Sequence, residues 1–456
     1  MDRNPIESAG LPKARKPLWR RVLKWTLRVV LALVVVAGVG WGIFSYVSSR
    51  ALEAEIAKLR AAGQPLTFAE WEKSLPKVSE ADDAAPFYRA ALALRRRSTD
   101  DRVYELIDWV KADAAQLAAS GPSAAEFERV LAENALALEM ADRGSALPQC
   151  AYDFGLANGV GAVLPQLSSA RSLCRLLYLR TMWLARQGKP GEAADSLVSS
   201  LRMLRMFDRQ PVLIGYLVKI ACLALDVEAV ATVLETGRLS DDQLAALDSA
   251  LAEADPAKDL DQVWVGEQVY DLELFRNLIR PSRELIPQEG TRLPEAAQPN
   301  LLASPALRLM VVDALRTCRQ YAEAAEKDWP QALEAMQAVA RSRYGVFGLF
   351  SKIEGPSFHA AFVLVGRALG GTRSARVAVM VERYRLGKGH LPTSLAELRE
   401  FVGGDLPADP FTGKPLVYRV EGDGFAVYSV GDDKTDNGGP EKAKREDFGI
   451  VVHRAR

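Results

Sequence analysis

The chain has 456 residues, 49% of them apolar and 25% charged, the balance of a globular protein with room for two or three folding units. Lys plus Arg equals Asp plus Glu at 58 each, so no global field draws nucleic acid or an acidic partner. Four cysteines, Cys150, Cys174, Cys222 and Cys318, sit far apart without a CxxC pair. They read as buried thiols, with one disulfide left open by the spacing.

The charge balance hides a basic N-terminus. Lys13, Arg15, Lys16, Arg20, Arg21, Lys24 and Arg28 precede VVLALVVVAGVGWGIFSYV, an uncharged run from Val29 to Val47. At about 1.5 Å per residue this run nearly spans a hydrocarbon layer of about 30 Å. Trp25, Trp41 and Tyr46 fall near its two edges, and the cations keep the N-terminal side cytoplasmic. A cleaved signal peptide has an apolar region of only about 7 to 15 residues ending in small side chains. The reading is therefore a cytoplasmic segment 1–28, an uncleaved anchor 29–47 in a bacterial inner membrane, and an extracytoplasmic remainder.

Residues 51–371 carry few strand signals, and Ala and Leu recur at helical spacing. In SEADDAAPFYRAALALRRR, Ser79 and Asp82 are candidate N-caps, with Phe87, Ala91 and Leu94 on one face. Further helices are expected over roughly 101–119, 123–142, 167–187, 192–207, 212–234, 240–253, 261–285 and 306–341. In LARQGKPGEAADSL, Leu184 to Leu197, one helix ends near Gly188 and Glu192-Ala193 opens the next, a turn similar to that of tetratricopeptide-type hairpins. There is no 34-residue period, so a generic helical hairpin is preferred. PVLIGYLVKIACLALDVEAV from Pro211 is apolar enough for a second span, but Lys219 and Asp226 interrupt it and assign it to a protein core.

Motifs for chemistry are scarce. His359, His390 and His453 form no paired metal-ligand spacing, and neither a GxSxG elbow nor a P-loop occurs. In DLDQVWVGEQVYDLEL, Asp259, Asp261, Glu267, Asp271 and Glu273 sit beside Trp264 and Tyr270. A pair of carboxylates could serve a periplasmic hydrolase, but Glu267 and Asp271 at i,i+4 are expected to form a solvated acidic helix face.

From 372 the character changes. A helix to about Arg385 and a short second helix after Pro392 precede three β-prone runs, LPADPFTGKPLVYRV, GDGFAVYSVG and DFGIVVH. A helix leaning on a small antiparallel sheet is expected over 372–456. The ordered positions Tyr384, Gly389, Leu391-Pro392-Thr393, Leu406-Pro407, Asp409-Pro410-Phe411, Gly413, Pro415-Leu416, Tyr418, Ser429-Val430-Gly431, Asp433 and Gly438-Gly439 carry a resemblance. They resemble the globular part of the type II secretion major pseudopilin, the G-type family.

That resemblance implies a calcium site in the last loop, using the Val430 carbonyl and the Asp433 carboxylate, with Asp436, Glu441 and Asp447 as later oxygens. The loop departs from the family by one extra residue before its glycine pair and by DF in place of DI at Asp447. The pseudopilin Gly-Phe processing site is absent from KPLWRRVLKWTLRVV, which speaks against a filament subunit. DAAPFYRAALAL, taken with the anchor and this ending, also resembles a set of envelope proteins of planctomycete-type bacteria.

The fold expected is mainly α: a transmembrane helix, a helical-hairpin extracytoplasmic domain and a small α+β pseudopilin-like domain. The function expected is binding or scaffolding at the membrane, with an envelope protein as partner and no nucleic acid. An accessory role in a type II secretion or pilus-like system is the alternative.

Overall fold

The computed structural model describes residues 18–112, 114–155, 160–210, 212–279, 304–341, 349–440 and 446–454. The chain is mainly helical and ends in a three-stranded antiparallel sheet. Helix α1 (Leu18–Ala61) contains the one stretch among the described residues that is long and apolar enough to cross a membrane. Its side chains are exposed through most of the apolar run. Beyond it Ser48, Leu52, Glu55, Ile56 and Leu59 form one covered face.

Helices α2 (Phe68–Ser74), α3 (Ala85–Leu94), α4 (Asp100–Lys111), α5 (Ala114–Ser120), α6 (Ala124–Glu133) and α7 (Ala135–Ser145) lead into a central set. This comprises α8 (Val160–Arg186), α9 (Pro190–Met203), α10 (Leu213–Thr236) and α11 (Asp241–Glu253). Helix α3 starts later than the sequence suggests. Ser79 and Asp82 bond to each other, while Asp83 Oδ1 accepts the Ala85 N–H at 2.9 Å and the Ala151 N–H at 2.8 Å. Its buried face is Tyr88 and Ala91 in place of Phe87 and Leu94, because the Tyr88 ring fits over Gly144, where a Cβ would come within 2.8 Å.

The single helix expected over 123–142 breaks at buried Asn134. Its side chain accepts the Arg96 N–H at 2.9 Å and donates to the Val130 carbonyl and the Thr99 hydroxyl, so it ties two segments together. The α8–α9 turn forms as expected. The Gly188 N–H bonds the Ala185 carbonyl and the Lys189 N–H the Leu184 carbonyl, with Gly188 left-handed at φ 70°.

Helix α10 lies in the core. Lys219 Nζ, almost fully buried, bonds Asp208 and Asp259 at 2.7 Å each. Asp226 is also buried: Ser200 donates to its Oδ1 at 2.7 Å, and its Oδ2 has no hydrogen-bond partner. All four cysteines are buried free thiols.

Helices α12 (Leu260–Ile279), α13 (Ser304–Ala325) and α14 (Gln331–Arg341) form a second packed group. Here Trp264 stacks on Tyr321 at 4.6 Å. The covered face of α1 beyond its apolar run rests on α13. Arg308 donates to the Ser45 hydroxyl at 3.1 Å, and buried Glu55 is bonded by Lys58 at 3.0 Å and Arg316 at 2.7 Å. Burial raises the Glu55 carboxyl, but these two cations outweigh it and hold the group below its usual range.

Helix α15 (Leu349–Lys388) runs through residues 371 and 372 without a break and is followed by α16 (Leu395–Val402). Strands β1 (Val417–Glu421), β2 (Gly424–Ser429) and β3 (Phe448–Val452) lie in the order β1-β2-β3. Phe425 and Val427 of β2 and Ile450 and Val452 of β3 face inward, into the same hydrophobic core that holds Leu177, Leu197, Leu223 and Val379.

Asp226 gives this core a pH dependence. Burial pushes its carboxyl up to about 8, against the lowering effect of the Ser200 hydroxyl. The folded chain then holds a proton that the unfolded chain releases near its ordinary value of 3.8. Stability from this group is complete below about pH 4 and is lost as pH rises through about 8. Calorimetric melting of the full chain should show Asp226→Asn raising the midpoint at pH 8 by ~5 °C, with no gain at pH 4. Equal midpoint changes at both pH values would contradict this assignment.

Candidate functional site

The site positions expected from the sequence lie on the loop between β2 and β3, and the Asp409 turn builds its entry. Asp409 is buried. Its Oδ1 accepts the N–H groups of Phe411 at 2.8 Å and Thr412 at 3.2 Å, and its Oδ2 accepts the Val430 N–H at 2.9 Å. One carboxylate therefore closes the Asp-Pro-Phe turn and fixes where the acidic loop leaves β2. Phe411 is buried, meets Phe448 edge-on at 5.7 Å, and lies against Gly366 of α15.

The loop turns back over the outer face of the sheet with Gly431 at φ 75°, Lys434 at 57°, Gly438 at 98° and Gly439 at 105°. These left-handed positions explain the glycines, which adopt such angles without steric cost. The Tyr428 ring lies beneath, and its hydroxyl donates to Asp436 Oδ1 at 2.9 Å. Arg419 of β1 reaches across to Asp436 Oδ2 at 2.6 Å. Ion pairs from Asp432 to Arg367 and from Lys434 to Glu334 tie the loop rim to α15 and α14.

The five positions implied by the resemblance take different roles. Val430 is half-buried, and its N–H belongs to Asp409. Asp433 Oδ1 accepts the Thr435 N–H at 3.0 Å, and its Oδ2 accepts the Asn437 amide at 2.8 Å. Asp436 is the Arg419 and Tyr428 partner. Burial alone would raise its carboxyl, but the Tyr428 hydroxyl, the Gly438 N–H and Arg419 hold it below the usual range.

Asp447 is 1% exposed, and its Oδ2 accepts the N–H groups of Asn437 at 2.9 Å and Gly439 at 2.8 Å. Its Oδ1 is buried without a hydrogen-bond partner. Glu441 lies outside the described residues. Asp433 and Asp447 thus grip Asn437 from two sides. Among the described residues, no three His, Cys, Asp or Glu side chains converge as a metal-binding group.

Asp409, Arg419, Tyr428 and Asn437 are the organising residues that ligand spacing alone did not select. Asp409 was within reach, as part of the Asp-Pro-Phe motif quoted for the resemblance.

The rival carboxylates on α12 do not form a solvated face. Glu267 Oε2 accepts the N–H of Leu213 at the first residue of α10, at 2.9 Å. Asp271 is buried, and the Cys318 thiol donates to its Oδ2 at 3.7 Å. The face turns inward because α10 and α13 cover it, and Glu267 there meets the positive end of α10. Burial, followed by the neighbouring Asp271 charge, pushes the Cys318 thiol well up.

Asp447 should dominate the stability of this loop. Asp447→Ala removes the acceptor of one buried and one half-buried N–H group and should cost ~2–4 kcal/mol in urea unfolding of the full chain. Asp436→Ala, which breaks a half-exposed pair, should cost about 1 kcal/mol. The reverse ranking would contradict the assignment.

No protein-family profile, curated protein or solved structure matches the chain.

Proposed function

We propose that the chain is a single-pass inner-membrane protein with a cytoplasmic N-terminus. In this reading the helical body and a pseudopilin-G-like ending lie outside, where they bind or scaffold an envelope partner without joining a filament. The anchor reading rests on the exposed apolar surface of α1 and on the cations that precede it. Arg308, bonded to Ser45 and next to Ser48, then holds the body close to the end of the apolar run.

The ending is proposed to bind calcium, and the observation that carries this is Asp447 Oδ1. A buried carboxylate oxygen with no donor is costly unless a cation faces it. Calcium takes six to eight oxygens. The Val430 carbonyl and the Asp433 and Asp447 carboxylates would hold it, with Asp436 and Glu441 as further donors. The residues fit such an ion in kind, since the stretch from Val430 to Asp447 supplies carboxylates, main-chain carbonyls and left-handed glycines. A bound dication would offset the mutual repulsion of Asp433 and Asp447 and close the loop on β3, so that ion binding adds to folding stability.

Full-length protein in detergent should melt at a higher temperature with calcium than with chelator. Asp447→Asn should abolish that rise, whereas Asp241→Asn, which breaks a surface pair with Arg383, should leave it intact. An identical midpoint with calcium and with chelator in the parent protein would discard the calcium reading.

A further inference from the structure

A second site lies away from the acidic loop, where α10 ends, α11 begins, α15 makes its last turns and the chain leaves β3. The recess has a volume of about 120 Å³ and an apolar wall that includes Leu239 and Leu244. That is far more than the roughly 15 Å³ needed for one water and less than the few hundred Å³ of a drug-sized cleft. Arg238, Arg385 and Arg454 line it together with one acid, Glu382, so the lining carries a net charge of +2 (three cations less one anion).

The internal pairing does not use all the donors. Arg454 Nη2 bonds Glu382 Oε2 at 3.1 Å and the Leu234 carbonyl at 3.2 Å. Arg385 Nη2 stands 3.3 Å from Glu382 Oε1 as an ion pair. Arg385 Nη2 and Glu382 Oε1 face each other only as that ion pair, and Arg385 Nε and Arg454 Nε are buried without any hydrogen-bond partner. The Arg385 guanidinium also lies over the Phe425 ring, 5.8 Å from its centre. Among other acids of this region, Glu235 accepts the His453 N–H at 2.7 Å, and Asp423 on the exposed β1–β2 turn adds a longer-range negative charge felt by Arg385.

Buried guanidinium donors without acceptors are expensive, and their planar fork matches two oxygens of a carboxylate or phosphate. We propose that this recess binds a small oxyanion, a phosphate or carboxylate group, held between Arg385 and Arg454 with Arg238 completing the positive rim. The proposal is independent of both the membrane and the calcium readings. Size limits the ligand to a free anion or the charged head of a small metabolite.

The test is titration calorimetry on the full-length protein in detergent, with inorganic phosphate and with succinate, at constant ionic strength set by chloride. One saturable site is expected for at least one of the two anions, and the tighter anion identifies the class. The double variant Arg238→Gln/Arg454→Gln should weaken it about tenfold or more. Glu382→Gln, which removes the competing carboxylate, should tighten it. These opposite responses keep the test decisive even if the double variant fails to fold. No saturable heat with either anion, or equal affinity in the parent and Glu382→Gln proteins, would overturn the proposal.

Discussion

How closely the sheet can approach α15 decides the architecture of the C-terminal region. A Cβ at Gly366 would come within 2.8 Å of the Phe411 ring, and one at Gly370 within 2.6 Å of the Phe448 ring. Spaced i,i+4, the two glycines share one helix face and form a notch for two edge-on aromatic rings. Helix propensity opposes glycine at both positions by about 1 kcal/mol each, so packing has overridden it. Once the rings are seated, Phe425, Val427, Ile450 and Val452 close the same core that α8, α9 and α10 occupy. The sheet and the helical body thereby bury one continuous apolar surface, with α15 as the element they share.

Buried acids then organise the molecule, each in a different way. Asp409 and Asp447 each gather backbone N–H groups and so pin the turns around them. Glu55 is held by cations from α1 and α13. Asp226, with a single hydroxyl donor, is driven toward the neutral acid. Asp409 and Asp447 fix the ends of the acidic loop, Glu55 fixes the apolar helix on the body, and Asp226 makes the central core sensitive to pH. Among the described residues, only the Asp447 carboxylate combines backbone support with a spare buried oxygen beside further acids, which is why the calcium proposal rests there.

Much of this organisation could be read from residue order. Local signals worked at several points: Gly188 ended α8, the helix expected over 240–253 formed as α11, and the three β-prone runs became β1, β2 and β3. Lys219 and Asp226 correctly assigned α10 to the interior, because a charge among apolar residues needs partners that only a packed core supplies. The break at Asn134 was not visible, since it depends on contacts with residues 35 and 38 positions away. The first half of α15 was not among the expected helices, and its Gly366 and Gly370 make sense only once the facing aromatics are placed. The loop oxygens could be named from the resemblance. Their division into an Arg419 partner, an Asn437 clamp and a buried acceptor needed the fold.

The central structural claim is that α15 joins the sheet and the helical body into one cooperative unit. Native-state hydrogen exchange of the full-length protein in low urea tests this most directly. The account predicts that amides of β2 and of α8 and α9 exchange through one global opening with the same free energy and the same urea dependence. Exchange of β2 through a separate opening of lower energy, with α8 and α9 still protected, would contradict it.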